Sequence, residues 1–240
     1  MTGHIRRRDV RATLVEGALA LRATWAATVA HLRGRDTPAQ FEPQVRDIES
    51  SCSGARLTDG ILLSGSSFFE NWKTSEQDLA PLKTVNIGIG GTRVSDHLAH
   101  FDRMVAPLRP RTLVLYIGSN DISGVPLFSK SARATVELIR EYIALVHDRL
   151  PGTTVYYVAI TETPSRALVR DQIRDANRLL AEHADKTGDF RFISTAEGLL
   201  TPSGEMDHTL FGPDLLHLNE AGYTRFAAAI RRGLREEYAG

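Results

Sequence analysis

Gly60-Ile61-Leu62-Leu63-Ser64 is an apolar run without polar alternation, closed by Gly65 and the serine pair Ser66-Ser67. A strand with one wet face alternates apolar and polar residues. An unbroken run suits a strand buried on both faces, as in a parallel sheet. Similar runs recur at 83–86, 112–117, 153–160 and 190–193. Helical patterns fall between them, at about 66–73, 94–105, 129–150 and 165–187, and a last one covers 219–237. Strands alternating with helices predict an α/β fold: a three-layer α/β/α sandwich around a flavodoxin-like, five-stranded parallel sheet with right-handed crossovers. In such sheets ligands sit beyond the carboxyl ends of the strands, so the loops that follow strands are where chemistry is expected.

Toward the N-terminus, residues 1–53 read as a helical extension packed on a body of residues 54–240. Leu14, Ala18, Leu21, Trp25, Val29 and Leu32 recur at helical spacing, and Gly34 with Asp36-Thr37-Pro38 ends that helix. A second, short helix is expected to end near Ser50, with Phe41, Val45 and Ile48 on one side and either Pro38 or Pro43 at its start. Arg6-Arg7-Arg8 precede the first helix, but Glu16, Arg22 and His31 interrupt its apolar residues. A membrane span or export signal needs an uninterrupted apolar run, so an amphipathic helix and a cytoplasmic location are expected, without membrane insertion. The extension reads as a cap on the body or as the arm of a homodimer.

The chain has 240 residues, 42% of them hydrophobic and 24% charged, enough for one domain with a sizeable core. Its 29 basic residues balance its 29 acidic ones, which argues against nucleic acid as the main partner. The single cysteine, Cys52, excludes an internal disulfide and a thiolate zinc cluster.

Each loop after a strand carries distinctive residues. A serine on a tight strand-to-helix turn, such as Ser66 or Ser67 after Gly65, exposes its hydroxyl and aims its own N–H at a reacting carbonyl; read alone, the pair also fits a helix N-cap. Phe69 stands where the nucleophile elbow of other hydrolases has a second glycine. Asn86-Ile87-Gly88-Ile89-Gly90-Gly91-Thr92 brings backbone close to a ligand, but Arg93 breaks a dinucleotide fingerprint. Asn120, in Gly118-Ser119-Asn120-Asp121, offers an amide donor to an oxyanion, or forms a plain turn. Asp214, three residues before His217, is placed to orient an imidazole on one turn. Beyond Asp207-His208 no further metal ligand lies nearby, so no metal and no organic cofactor is expected. Arg93, Asp96 and His97 read more readily as a solvated first helical turn than as the lining of a site entrance.

In this order the segments resemble the four blocks of the SGNH hydrolase superfamily, the GDSL-like lipases and acylhydrolases, over about residues 55–238. Gly65-Ser66-Ser67 is similar to the first block, Gly91 to the glycine of the second, Gly118-Ser119-Asn120-Asp121 to the third and Asp214 to His217 to the last. Ser66 replaces the aspartate of the family name. With Trp72, the Asn86 to Thr92 segment, and His217-Leu218-Asn219 before Gly222-Tyr223, this is similar to the branch of platelet-activating-factor acetylhydrolase-like esterases. The resemblance implies hydrolysis of carboxylic esters, short acyl chains above all, with an acetylated sugar or lipid among the substrates. It implies Ser67 as nucleophile, His217 as general base, Asp214 as its orienting carboxylate, and an oxyanion hole of the Ser67 N–H, the Gly91 N–H and the Asn120 side chain. Arg93 and Asp121 are candidate substrate contacts. Arg166 and Asn177, after Thr163-Pro164, are read as structural. An acyltransferase using the same acyl-enzyme and a lysophospholipase- or thioesterase-type acylhydrolase are the alternatives.

Overall fold

A computed structural model describes residues 37–125 and 128–238. The 14–32 helix and the dimer arm lie outside these residues. The chain starts with a 3-10 turn (Pro38–Phe41) and α1 (Glu42–Ser51). Both prolines serve: Pro38 opens the turn and Pro43 sits in the first turn of α1, where no N–H is needed. The body follows as β1 (Ile61–Gly65), α2 (Ser67–Glu70), α3 (Ser75–Leu79), β2 (Thr84–Asn86), α4 (Val94–Met104), β3 (Thr112–Tyr116), α5 (Ala132–Arg149), β4 (Thr154–Val158), a 3-10 segment (Pro164–Val169), α6 (Arg170–Thr187), β5 (Arg191–Ile193) and α7 (Glu220–Tyr238).

The five strands are parallel in the order β2-β1-β3-β4-β5. Side chains alternate between two buried faces, which is why the strands read as continuous apolar runs. Leu62, Leu113, Leu115, Val155 and Tyr157 pack under α1, α4, α5 and α6. Ile61, Leu63, Val114, Tyr116, Tyr156 and Val158 pack against α2, α3 and α7. Full burial of one such side chain contributes about 1.5–3 kcal/mol, so β1, β3 and β4 are held from above and below.

Two expectations need revising. The helix read over 66–73 is a single turn, α2, followed by the separate turn α3. The helix read over 165–187 is a 3-10 segment joined to α6, with a non-helical residue, Arg166, inside it (φ −107°, ψ 24°). The described part of the extension is fastened to α4: Arg103 pairs with Glu42 at 2.7 Å and Glu49 at 2.5 Å, while Phe41 and Val45 enter the core.

Because β1 pairs with β2 on one side and β3 on the other, the chain reverses its direction of travel across the sheet there. The crevice at such a switch point is the default ligand site of an open α/β sheet.

Candidate active site

Ser67, Gly91 and Asn120 follow β1, β2 and β3, the three strands that meet at the switch point. Ser66 is fully buried, and its N–H donates to the Tyr116 carbonyl at 3.0 Å. Ser67, the next residue, reaches outward: its Oγ lies 2.9 Å from His217 Nε2. Phe68 and Phe69 anchor the turn from below, in an aromatic cluster with Trp72, Tyr116, Tyr223 and Phe226. The Tyr223 hydroxyl donates to the Phe68 carbonyl at 2.9 Å.

His217 Nδ1 lies 2.6 Å from Asp214 Oδ2. The other oxygen, Oδ1, accepts from the N–H groups of Leu216 and His217, each at 3.0 Å. Burial works to raise the Asp214 pKa, but those backbone N–H groups and the His217 ring outweigh it and hold it below the ordinary carboxylate value. An ionised carboxylate only accepts, so the Nδ1 of a neutral His217 carries the proton and Nε2 accepts from the Ser67 hydroxyl. The loop closes on itself: Gly212 N–H donates to the His217 carbonyl at 2.8 Å and Leu215 N–H to the Gly212 carbonyl at 2.9 Å.

On the other flank, the segment after β2 keeps pairing with β1, with Ile87 N–H on the Leu63 carbonyl and Ile89 N–H on the Gly65 carbonyl, both at 2.9 Å. A Cβ on Gly88 would stand 2.4 Å from the Glu70 backbone nitrogen, so only glycine lets this loop lie against α2. Asn86 Nδ2 ties the two together by donating to the Phe69 carbonyl at 2.8 Å. Gly91 then takes φ +83°, in the left-handed region. Thr92 Oγ1 donates to the Ile89 carbonyl at 2.8 Å, so it accepts from the Nε2–H of His97, 3.0 Å away. Asn120 Nδ2 donates to the Thr92 carbonyl at 2.9 Å.

Three sequence expectations fall differently. Asp121, expected at the surface as a substrate contact, is instead fully buried: it accepts the Val94 N–H at 3.0 Å and lies 3.1 Å from the Lys130 ammonium. Asp96 and His97 are not solvated. Asp96 accepts the Arg93 N–H at 2.7 Å, and His97 packs edge-on against Tyr142. Burial, with a smaller push from His100, lowers the His97 pKa to about 4, so it is neutral. Arg93 lies with its guanidinium 5.3 Å from the centre of the Phe128 ring, a cation–π contact beside the loop that follows β2.

A family model for the GDSL-like lipase/acylhydrolase family matches residues 52–225. The chain belongs to that family. It is therefore an ester hydrolase, and the SGNH resemblance of its four blocks is that of a member. None of the curated proteins matches the chain. Among solved structures it is similar to a protein of Streptococcus pneumonia named for platelet activating factor (21% identity, 88% of this chain and 98% of that one, TM-score 0.70). A GDSL-like lipase of Bacteroides thetaiotaomicron is similar at 17% identity, over 84% of this chain and all (100%) of the other, with TM-score 0.67. A catalytic mutant of an acetylxylan esterase from Geobacillus stearothermophilus is similar at 15% identity, over 76% and 94%, with TM-score 0.60. Identities this low speak for the fold alone. Among the described residues no helix is long and apolar enough to cross a membrane.

Proposed function

We propose that this member of the family hydrolyses short-chain carboxylic esters, acetyl esters above all, through an acyl-enzyme on Ser67. The observation that carries this reading is the continuous chain of hydrogen bonds from Asp214 through His217 to Ser67, at 2.6 and 2.9 Å, in the switch-point crevice. Serine hydroxyl is a weak nucleophile until a base takes its proton. Nε2 of His217 takes it as Ser67 Oγ bonds to the ester carbonyl carbon. Asp214 holds the tautomer and stabilises the imidazolium. The carbonyl oxygen becomes an oxyanion facing the Ser67 N–H, the Gly91 N–H and the Nδ2 hydrogen of Asn120 that Thr92 does not use. The C–O bond to the alcohol breaks, and His217 returns its proton to the leaving oxygen. Water, deprotonated by the same imidazole, then releases the acid and restores Ser67. The acetyl preference rests on the resemblance of the motifs to the branch of platelet-activating-factor acetylhydrolase-like esterases.

The test is hydrolysis of nitrophenyl esters with two-, four-, eight- and sixteen-carbon acyl chains. Rates are expected to fall with chain length. Ser67→Ala is expected to lower kcat by a factor on the order of 10⁶, and Ser66→Ala to leave the same mechanism in place. Loss of activity in Ser66→Ala alone would reassign the nucleophile, and an optimum at sixteen carbons would end the short-chain reading.

A further inference from the structure

The Nδ2 and Oδ1 atoms of an asparagine are nearly isosteric, so the Asn120 amide has two orientations of similar shape and opposite effect. With Nδ2 toward the oxyanion it stabilises charge; with Oδ1 there it repels. What selects the orientation has to bind each end with a group of one kind only. The Thr92 carbonyl, an acceptor, meets Nδ2 at 2.9 Å. Arg166 Nη2, a pure donor, meets Oδ1 at 2.9 Å. Flipping the amide would set donor against donor and acceptor against acceptor.

Arg166 does more than touch the amide. Its Nη1 donates to the Ser119 carbonyl and, at 3.1 Å, to that of Ile122, so one guanidinium holds both sides of the turn that carries Asn120. Part of the residue reaches the surface, but the guanidinium is enclosed. Enclosure lowers its pKa against the pull of Tyr116 and Asp121. The neighbouring residue, Ser165, donates its N–H to the Leu215 carbonyl at 3.0 Å, within the Asp214 to His217 loop. The 3-10 segment Pro164–Val169 therefore contacts both the loop of the base and the turn of the oxyanion donor.

We infer that Arg166 is a positioning residue for ester hydrolysis, fixing the Asn120 amide with Nδ2 toward the oxyanion while its segment sets that turn against the His217 loop. The inference rests on the proposed role of Asn120. Arg166 acts through Asn120 and does not touch substrate. Lysine has the charge but not the planar fork, and cannot hold the amide and both carbonyls together.

The experiment measures kcat and KM for nitrophenyl acetate in wild type, Asn120→Ala, Arg166→Lys, Arg166→Met and the double variant Asn120→Ala/Arg166→Lys, with circular dichroism for folding. Asn120→Ala is expected to lower kcat about a hundred- to a thousandfold with little change in KM. Arg166→Lys is expected to lower kcat about a hundredfold, again with KM little changed. In the Asn120→Ala background Arg166→Lys is expected to add almost nothing, because the group it positions is gone. Arg166→Met is expected to match Arg166→Lys; should it fail to fold, the lysine variant carries the test. A hundredfold loss that multiplies in full in the double variant would overturn the inference, leaving a structural arginine. So would wild-type turnover in Arg166→Lys beside a slow Asn120→Ala. Wild-type turnover in Asn120→Ala would instead strike the oxyanion reading itself, and the inference with it.

Discussion

The loop that carries Asp214 and His217 and the segments after β2 and β3 that carry Gly91 and Asn120, the shelf beside Ser67, are held in different ways. The Asp214–His217 loop is largely self-sufficient. Asp214 Oδ1 is filled by backbone two and three residues on, and Gly212 pairs with His217. The shelf is assembled from afar. Asn86 binds α2, Asn120 binds Thr92 28 positions away, and Arg166 reaches Asn120 across 46. A locally closed loop keeps its shape at little entropic cost, whereas a shelf of distant pieces is only as accurate as the packing of several elements.

The sharpest way to break this contrast is Asp214→Asn. Its oxygen can keep the Leu216 and His217 N–H bonds, so the loop is expected to stand and the melting temperature to stay near wild type. Its NH₂ would donate to Nδ1 and put the proton on Nε2, so kcat/KM is expected to fall about ten-thousandfold. A large drop in melting temperature would show that the loop is not self-sufficient.

Next in size is a pair of glycine substitutions. Gly88→Ala drives a Cβ to 2.4 Å from the Glu70 nitrogen and 2.7 Å from the Phe69 carbonyl carbon, backbone on both counts. It is expected to cost about 3 kcal/mol. Gly212→Ala in the Asp214–His217 loop meets nothing nearer than 3.6 Å and is expected to stay within about 0.5 kcal/mol. Chemical denaturation of the two variants reads this directly, and equal losses would erase the distinction.

The smallest effect is one of pH. His97 props Thr92 from within the core, and its folded pKa, about 4, lies below its ordinary 6.5. Above about 6.5 it is neutral in both states and contributes no pH dependence. As pH falls from there toward 4 the unfolded chain takes up a proton that the folded chain refuses, so stability declines by up to about 3 kcal/mol. Asp214, whose pKa is lowered, loses its share only below the ordinary carboxylate range, which separates the windows. Melting temperature between pH 7 and 4.5 is expected to fall less in His97→Gln than in wild type; parallel curves would remove the shelf's pH dependence from His97.

The strands were legible because a parallel sheet buries both faces, and runs such as Leu113-Val114-Leu115 record that in composition alone. Ser67, Asp214 and His217 stood out as residue types at loop positions, and the tight Asp214 to His217 spacing carried its own geometry. The short helix at Ser75–Leu79 was missed because one turn holds too few residues to show a period. The burial of Asp121 was not legible, because an Asn-Asp pair after a strand gives no sign of which side chain turns inward. Arg166 left no trace as a partner of Asn120: its contacts are carbonyls and an amide 44 to 47 positions away.

Taken alone, the amino-acid order determined the layers, the direction of the strands and the residue types at the crevice, because periodicity and local spacing are properties of neighbouring residues. Only the tertiary structure decided that Ser67 and not Ser66 faces His217, that His97 and Asp121 lie inside, and that the Arg166 guanidinium meets the Asn120 amide. Those outcomes depend on distances between segments far apart in the chain, and such distances exist only once the sheet and its helices have packed.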